Sequence, residues 1–526
     1  MGTTSPAGVA GRRRLAGDPR DGVAPFPGSP LDSSATVALH RQVYSRIRTL
    51  ILSGQVAAGS RLPSTRALAA SLNVSRNTVL AAFEQLRGEG YLEGRHGSGT
   101  YVAPAVPDEL LRPRLAASSV PGQSRAQRRL SDRGTLIAST LRTPLPALSP
   151  GPGERHAFTI GLPDLDSFPQ AQWARHLAQC WRRPASGLMR YNHPAGYRPL
   201  REAIAARLAT TRGVRCDADQ VVIVAGSQQA LEFAGRMLLD PGDPVWMEEP
   251  GYIGARAALV AAGARIVPVP VDEDGLNVEA GLACEPAARL AFVTPSHQFP
   301  LGTTLSLARR LALIEWASRT AAWVLEDDYD SEFRYVGRPL TALQGIDREG
   351  RVIYVGTFSK TLFPALRLGY MVVPDDLVDA LVGAHMSADI HAHVFEQAAL
   401  AEFIQAGHLD RHVRRMRTLY AERQAVLVDS VRQRLAGFLD IEPSGSGMHL
   451  VGWLRGGLDD RIVSQEAARR GMDLWPLSLH YIQPGSRSAL LLGYAGMTPA
   501  DIRTGVAKLA TILPRLVSRG KTARLR

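Results

Sequence analysis

Apolar positions in HRQVYSRIRTLILSG (residues 40–54) fall at Val43, Ile47, Leu50 and Ile51, the spacing of one helix face, and Gly54 supplies the stop. The next stretch, SRLPSTRALAASLNVSRNTVLAAFEQLRGEGYL, predicts two shorter helices. Ser64 stands as a cap before TRALAASL, Asn73-Val74 makes a tight turn, and Ser75 caps a helix from Arg76 to Leu86. Val79, Ala82, Phe83 and Leu86 share the inner face of that last helix. Two short helices joined by such a turn form a helix-turn-helix. YLEGRHGSGTYV then reads as a β-hairpin, with Gly97 and Gly99 permitting its turn and Arg95 and His96 beside it as a wing.

From about residue 156 the pattern changes. Short apolar runs, VVIVA (221–225), PVWME (244–248), RIVPV (265–269), RLAFV (289–293), AAWVLE (321–326) and RVIYV (351–355), alternate with helical stretches across Gly, Pro or Asp turns. That alternation predicts a wound, mainly parallel α/β sheet. Beyond about 378 the chain turns more helical, with strand-like stretches at MHLVGWL (448–454) and ALLLGYA (489–495), as expected of a smaller α+β lobe. Residues 1–34 read as a disordered lead, 36–103 as a compact head, 104–155 as a linker rich in Pro, Ser, Ala and Arg, and 156–515 as the large domain.

Composition sharpens this division. Residues 1–150 hold 19 arginines, no lysine and 9 carboxylates, a surplus of ten positive charges out of the net +12 of the whole 526-residue chain. A basic front end on a near-neutral body predicts contact with a polyanion. The three cysteines, Cys180, Cys216 and Cys284, are odd in number and far apart, which argues against a disulfide framework and fits a reducing cytosol. No apolar run has the length of a membrane helix, and the first thirty residues lack an apolar signal core, so the expected location is the cytoplasm.

The head carries hydrogen-bonding side chains, Ser75, Arg76, Asn77 and Thr78, at the start of its second short helix, where free backbone N–H groups also point outward. RLPSTRALAASLNVSRNTVLAAFEQL together with GSGTYV resembles the winged helix-turn-helix of the GntR regulators. That resemblance implies a double-stranded DNA operator as partner, with Arg61, Ser64, Arg66, Arg76, Asn77, Thr78 and Gly97 as the contacts.

Only three lysines occur in the chain, against 58 arginines. One, Lys360, follows the run RVIYV in GTFSKTLFPALRLGY, at a strand end, where α/β sheets bind ligands. An amine there can condense with an aldehyde, which arginine cannot do. Arg367 is a fork donor suited to a phosphate, and Thr357 and Ser359 add hydroxyls to the same loop. A pyridoxal phosphate site also needs a carboxylate beside the ring nitrogen, and EDDYDSEF offers Asp327, with Tyr329 for the ring hydroxyl. Gly226-Ser227-Gln228 opens a helix where a phosphate could sit, Tyr252 could stack on the ring, and His297 and Gln298 are expected beside its hydroxyl.

YNHPAGY (191–197), GSQQALE, EEPGY, SHQFPLG, EDDYDSEF and TFSKTLFPALRLGY, in this order, resemble a fold-type I aminotransferase. A GntR-like head on such a body resembles the MocR subfamily of transcriptional regulators. The resemblance implies pyridoxal 5'-phosphate as cofactor, with Lys360 as the aldimine lysine, Asp327 as the pyridinium partner and Tyr329 as the ring-hydroxyl partner. Ser227, Gln228, Thr357, Ser359 and Arg367 become phosphate ligands, and Tyr191 reaches the phosphate of a second subunit, which implies a homodimer. One departure stands out. Where aminotransferases present an arginine to the substrate carboxylate, this chain reads Leu479-His480-Tyr481, with Arg487 and Arg256 as other anion-binding candidates. The expected function is a regulator sensing the cofactor itself, an amine or an amino acid. The alternative is an active aminotransferase carrying a DNA-binding head.

Overall fold

Ser64 and Ser75 cap helices where the pattern predicts. The computed structural model describes residues 31–32, 37–95, 99–104, 130–140, 156–182, 187–337, 340–485 and 487–524. Ser64 Oγ accepts from the Ala67 N–H at 3.2 Å and Ser75 Oγ from the Thr78 N–H at 3.1 Å. They begin α2 (Thr65–Leu72) and α3 (Arg76–Gly88), which follow α1 (Leu39–Leu52). Asn73 closes α2 in the left-handed region at φ 51°, a conformation Asn tolerates better than most residues. Val43, Ile47, Leu68, Val79, Phe83 and Leu86 are buried together, and the hairpin β1 (Leu92–Arg95) and β2 (Gly99–Val102) adds Leu92 and Val102 to that core. Gly97, most of the lead and most of the linker lie outside the described residues. Ser75→Ala removes the α3 cap and is expected to cost about 1 kcal/mol. Calorimetry should show the head transition lowered by about 4–8 °C.

The chain divides into two compact units between Arg128 and Arg129. In the second, β3 (Val221–Val224), β4 (Pro244–Glu249), β5 (Arg265–Asp272), β6 (Gly275–Leu276), β7 (Leu290–Val293), β8 (Trp323–Asp328), β9 (Val352–Thr357) and β10 (Gly369–Val372) form one sheet. Its order is β3-β10-β9-β8-β7-β4-β5-β6. Strands β4, β5, β7, β8 and β9 run parallel, while β10 is antiparallel to both neighbours. All six apolar runs singled out in the sequence lie in strands of this sheet. Strand β10 escaped that reading: four residues directly after a loop are too short to show a period.

Beside the sheet, α4 (Asp132–Thr140) and α5 (Gln170–Arg182) precede α6 (Arg198–Thr211), α7 (Ser227–Leu238) and α8 (Ile253–Ala262). Helices α6 and α7 pack on β3, and α8 packs on β5. The smaller lobe carries β11 (Leu439–Ile441), β12 (His449–Leu454), β13 (Trp475–Pro476) and β14 (Ala489–Gly493) in the antiparallel order β11-β12-β14-β13. The helices His408–Arg434 and Pro499–Arg524 pack together there, the second running past residue 515. Phe158 is buried in this lobe's core, so the segment entering the large domain passes through the small lobe first.

Within the segment read as linker, residues 132–140 are helical. Ser131 Oγ accepts from the Gly134 N–H at 3.0 Å, and α4 lies against α8, where Arg133 Nε donates to the Ala261 carbonyl at 2.8 Å. Nine residues give only two turns, and their apolar pair Leu136-Ile137 is too brief a pattern to stand out.

Candidate functional site

The carboxyl ends of β3, β4, β7, β8 and β9 open onto one cleft of about 560 Å³. Ser227 and Gln228 reach it from the start of α7, Tyr252 and Gly254 from the start of α8, Asp327 from β8, and Thr357 from the end of β9. Tyr329, Ser359, Lys360 and Arg367 line it from the loops that follow. The sheet therefore gathers residues spread over more than a hundred positions of sequence, as crossover connections in open α/β sheets do.

One end of the cleft is built to receive an anion. Helix α7 starts at Ser227 behind Gly226, whose φ of 92° favours glycine. The Arg367 guanidinium folds over that glycine and donates to the Ala225 carbonyl at 2.9 Å. A Cβ at residue 226 would stand 3.2 Å from the guanidinium carbon. Helix-start N–H groups and a guanidinium together make an anion cradle. Thr357 Oγ1 accepts from the Ser359 N–H at 3.2 Å and so shapes the loop beside it.

The middle of the cleft holds an amine and a carboxylate. Lys360 Nζ donates to the Gly161 carbonyl at 3.0 Å. Gly161 has φ +68°, and a Cβ there would come within 2.5 Å of Nζ. Burial, helped by the Arg367 charge, holds the amine below the usual lysine range against the pull of Asp330 and Asp327. A lowered pKa leaves more free amine to act as nucleophile. Asp327 is buried, and its Oδ1 has no partner among the described residues. Burial first, then the neighbouring Asp328, pushes its carboxyl up to about 7 against the pull of Lys360.

The adjacent acids hold structural partners, though Asp328 Oδ1, like Asp327 Oδ1, has none among the described residues. Glu326 accepts from the Leu343 and Gln344 N–H groups at 2.9 and 3.0 Å. Asp328 Oδ2 accepts from Arg212 Nε at 2.7 Å and from the Tyr354 hydroxyl at 2.5 Å. Tyr329 is kept a neutral phenol by burial among carboxylates and bonds His297 Nδ1 at 2.9 Å.

His297 stands one layer behind Tyr329 rather than in the lining, with Asp330 Oδ2 3.1 Å from its Nδ1. Gln298 is also set back, its amide donating to Glu248, Pro250 and Phe299. Tyr191 lies outside the cleft, and its side chain is among the most exposed aromatics described, at 83%. Among the residues missed by sequence reasoning are Gly161, Phe299, Met448, His449 and Trp475, which line the cleft with His480. His449 breaks the apolar run MHLVGWL, and that break was the available signal.

On the head, Arg61, Ser64, Arg66, Arg76 and Asn77 are exposed and Thr78 is half-buried. Arg66 and Arg76 lie in the first turns of α2 and α3, and among the described residues neither has an ion-pair partner. The Thr78 hydroxyl is 2.8 Å from Ser75 Oγ. Arg61 packs against Gly99 at the base of the wing, where Arg95 stacks 4.6 Å from the Tyr101 ring centroid.

Comparison with known proteins joins the two units. Residues 39–102 match the bacterial regulatory proteins of the gntR family, and residues 158–509 match the aminotransferases of class I and II. The chain is 44% identical over 491 residues, 93% of its length and 97% of the relative, to the probable rhizopine catabolism regulatory protein MocR of Rhizobium meliloti. It belongs to the MocR-type regulators of the GntR family. A further relative, the pyridoxine biosynthesis transcriptional regulator PdxR of Corynebacterium glutamicum, is 30% identical over 91% of this chain and 97% of its own.

Among solved structures, a Pyrococcus horikoshii kynurenine aminotransferase in complex with PMP has a TM-score of 0.64 at 27% identity, covering 75% of this chain and 97% of its own. A multiple-substrate aminotransferase of Thermococcus profundus scores 0.65 at 26% identity, over 75% and 97%. This MocR-type regulator thus couples a GntR winged helix-turn-helix to a fold-type I aminotransferase-like domain. Among its described residues no helix is long and apolar enough to cross a membrane.

Proposed function

We propose that the protein is a cytoplasmic, pyridoxal phosphate-dependent DNA-binding regulator whose large domain senses the cofactor or an amine effector at Lys360. When bound, pyridoxal phosphate supplies an aldehyde that bonds reversibly to amines and a ring that draws electrons from that bond. The residues of the cleft fit this group. Lys360 Nζ is the amine for the aldehyde, and the unpartnered Asp327 Oδ1 is an acceptor for the ring N–H. Tyr329 would bond the ring hydroxyl and Tyr252 would stack on the ring, with His297, bonded to Tyr329, orienting it from behind. Ser227, Gln228, Thr357, Ser359 and Arg367 would hold the phosphate. The observation that carries the reading is Lys360 Nζ and an orphaned Asp327 carboxylate facing one cleft that also holds an anion cradle, in a chain with a GntR head.

Two further features support regulation. Ile137, on α4 near the start of the large unit and within the segment read as linker, lines the same cleft, so a ligand bound there would lie beside that segment. Ile137→Asp is expected to bring the ratio of DNA affinities with and without effector close to one, measured by fluorescence anisotropy. The exposed Tyr191 supports a homodimer in which that side chain serves the neighbouring subunit's phosphate.

The test is to load the purified protein with pyridoxal phosphate and record its visible spectrum. Candidate amines are then titrated while binding to the protein's own upstream DNA is followed. Spectral and DNA-binding changes with a common midpoint are expected. Steady turnover of an amino acid with a keto acid would overturn the sensing reading in favour of a working aminotransferase.

A further inference from the structure

The cleft has a second wall that the cofactor reading leaves unused. Ile160, Phe299, Met448, His449, Trp475 and His480 line it. Phe299 lies edge-on to both imidazoles, with centroids 5.5 Å from His449 and 5.2 Å from His480.

No spare cation faces this wall. Among the described residues the cationic side chains lining the cleft are Lys360 and Arg367, and Arg367 is turned to the anion cradle at Ala225. Arg256, outside the lining, donates to the Tyr481 carbonyl at 3.3 Å and is attracted to Glu249. Arg487 stacks 4.3 Å from the Trp453 ring centroid, also outside the cleft.

The polar groups that remain are two imidazoles of fixed tautomer. A carbonyl oxygen only accepts, so His449 donates from Nε2 to Pro300 at 3.0 Å and His480 from Nδ1 to Gly251 at 3.2 Å. Each ring is left with its other nitrogen as an acceptor. In His480 that nitrogen, Nε2, is buried without a partner among the described residues, in a residue only 2% exposed. Burial keeps both rings uncharged, lowering His449 to about 4 and His480 to about 3. A neutral acceptor repels a carboxylate oxygen and receives a hydroxyl proton. The Trp475, Phe299 and Met448 surfaces suit the C–H faces of a carbon skeleton.

We propose that the effector is a primary amine bearing hydroxyl groups and no carboxylate, an amino alcohol or amino polyol, whose hydroxyls donate to His480 Nε2 and His449 Nδ1. This rests on the cofactor reading above and names the ligand class for the same cleft.

The experiment uses the full-length protein loaded with pyridoxal phosphate. 2-Amino-1,3-propanediol and L-serine share an amine and a hydroxyl and differ by one carboxylate. Each is titrated while the visible spectrum and binding to the protein's own upstream DNA are recorded. The diol should half-saturate the spectral change at a concentration at least about tenfold below serine, the worth of one hydrogen bond to a buried group. His480→Leu should collapse that preference towards one, and His480→Gln, which keeps an acceptor, should retain part of it. Serine acting as well as the diol, or a preference unmoved by His480→Leu, would overturn the inference while the cofactor reading stands. A starting protein with no cofactor band would overturn both.

Discussion

Lys360→Ala is expected to abolish covalent cofactor attachment outright. Borohydride reduction of the loaded wild type should fix the cofactor to the peptide containing residue 360, and the variant should show no such peptide by mass spectrometry. The reason is chemical. Among the described residues the amine is the one nucleophile of its kind lining the cleft, burial favours its free form, and no other side chain described in that lining can replace it. Lys360→Arg should fail equally, because a guanidinium remains protonated and does not condense with an aldehyde. Both variants should lose the effector-dependent change in DNA binding and keep the salt-dependent binding of the head. A labelled peptide elsewhere in the chain would sink the sensing site as drawn.

The second large effect belongs to the head. Arg66 and Arg76 stand exposed at the starts of α2 and α3, without ion pairs among the described residues, so their charge is free to meet DNA. Replacing both with alanine should weaken operator binding by about 1–3 kcal/mol for each arginine that bonds a base edge. If the arginines bond phosphates instead, the weakening should be uniform across sequences, and the salt slope should fall by about one for each arginine. Anisotropy titrations at several salt concentrations distinguish the two. Unchanged affinity and slope would remove these residues from the interface.

Much of this architecture was legible in the chain. The three head helices announce themselves through caps and through an inner face of Val79, Ala82, Phe83 and Leu86, all of which are buried. Six of the eight sheet strands show in the sequence as apolar runs, as strands covered on both faces do. The site was legible where a residue is chemically unusual, as with a lysine in a chain of arginines. It was not legible where the chemistry is ordinary and the neighbours are remote. His449 and His480 sit in separate segments of the small lobe, and nothing local says that both turn towards Phe299. His297, within SHQFPLG, was expected beside the ring hydroxyl, and packing puts Tyr329 in front of it.

A capped helix-turn-helix, a wound sheet after it, and an amine on a strand-end lysine all follow from the order of residues alone. Those properties depend on local spacing and on side-chain chemistry. Which acid faces that lysine is settled by packing between distant segments. A strand's period of two separates Asp327 from Glu326 and Asp328, but it does not say which face meets the cleft. That choice was made by Arg212 and Tyr354 holding Asp328, and by the Leu343 and Gln344 N–H groups holding Glu326. Asp327 is left buried in the lining of the cleft, with Oδ1 unpartnered among the described residues.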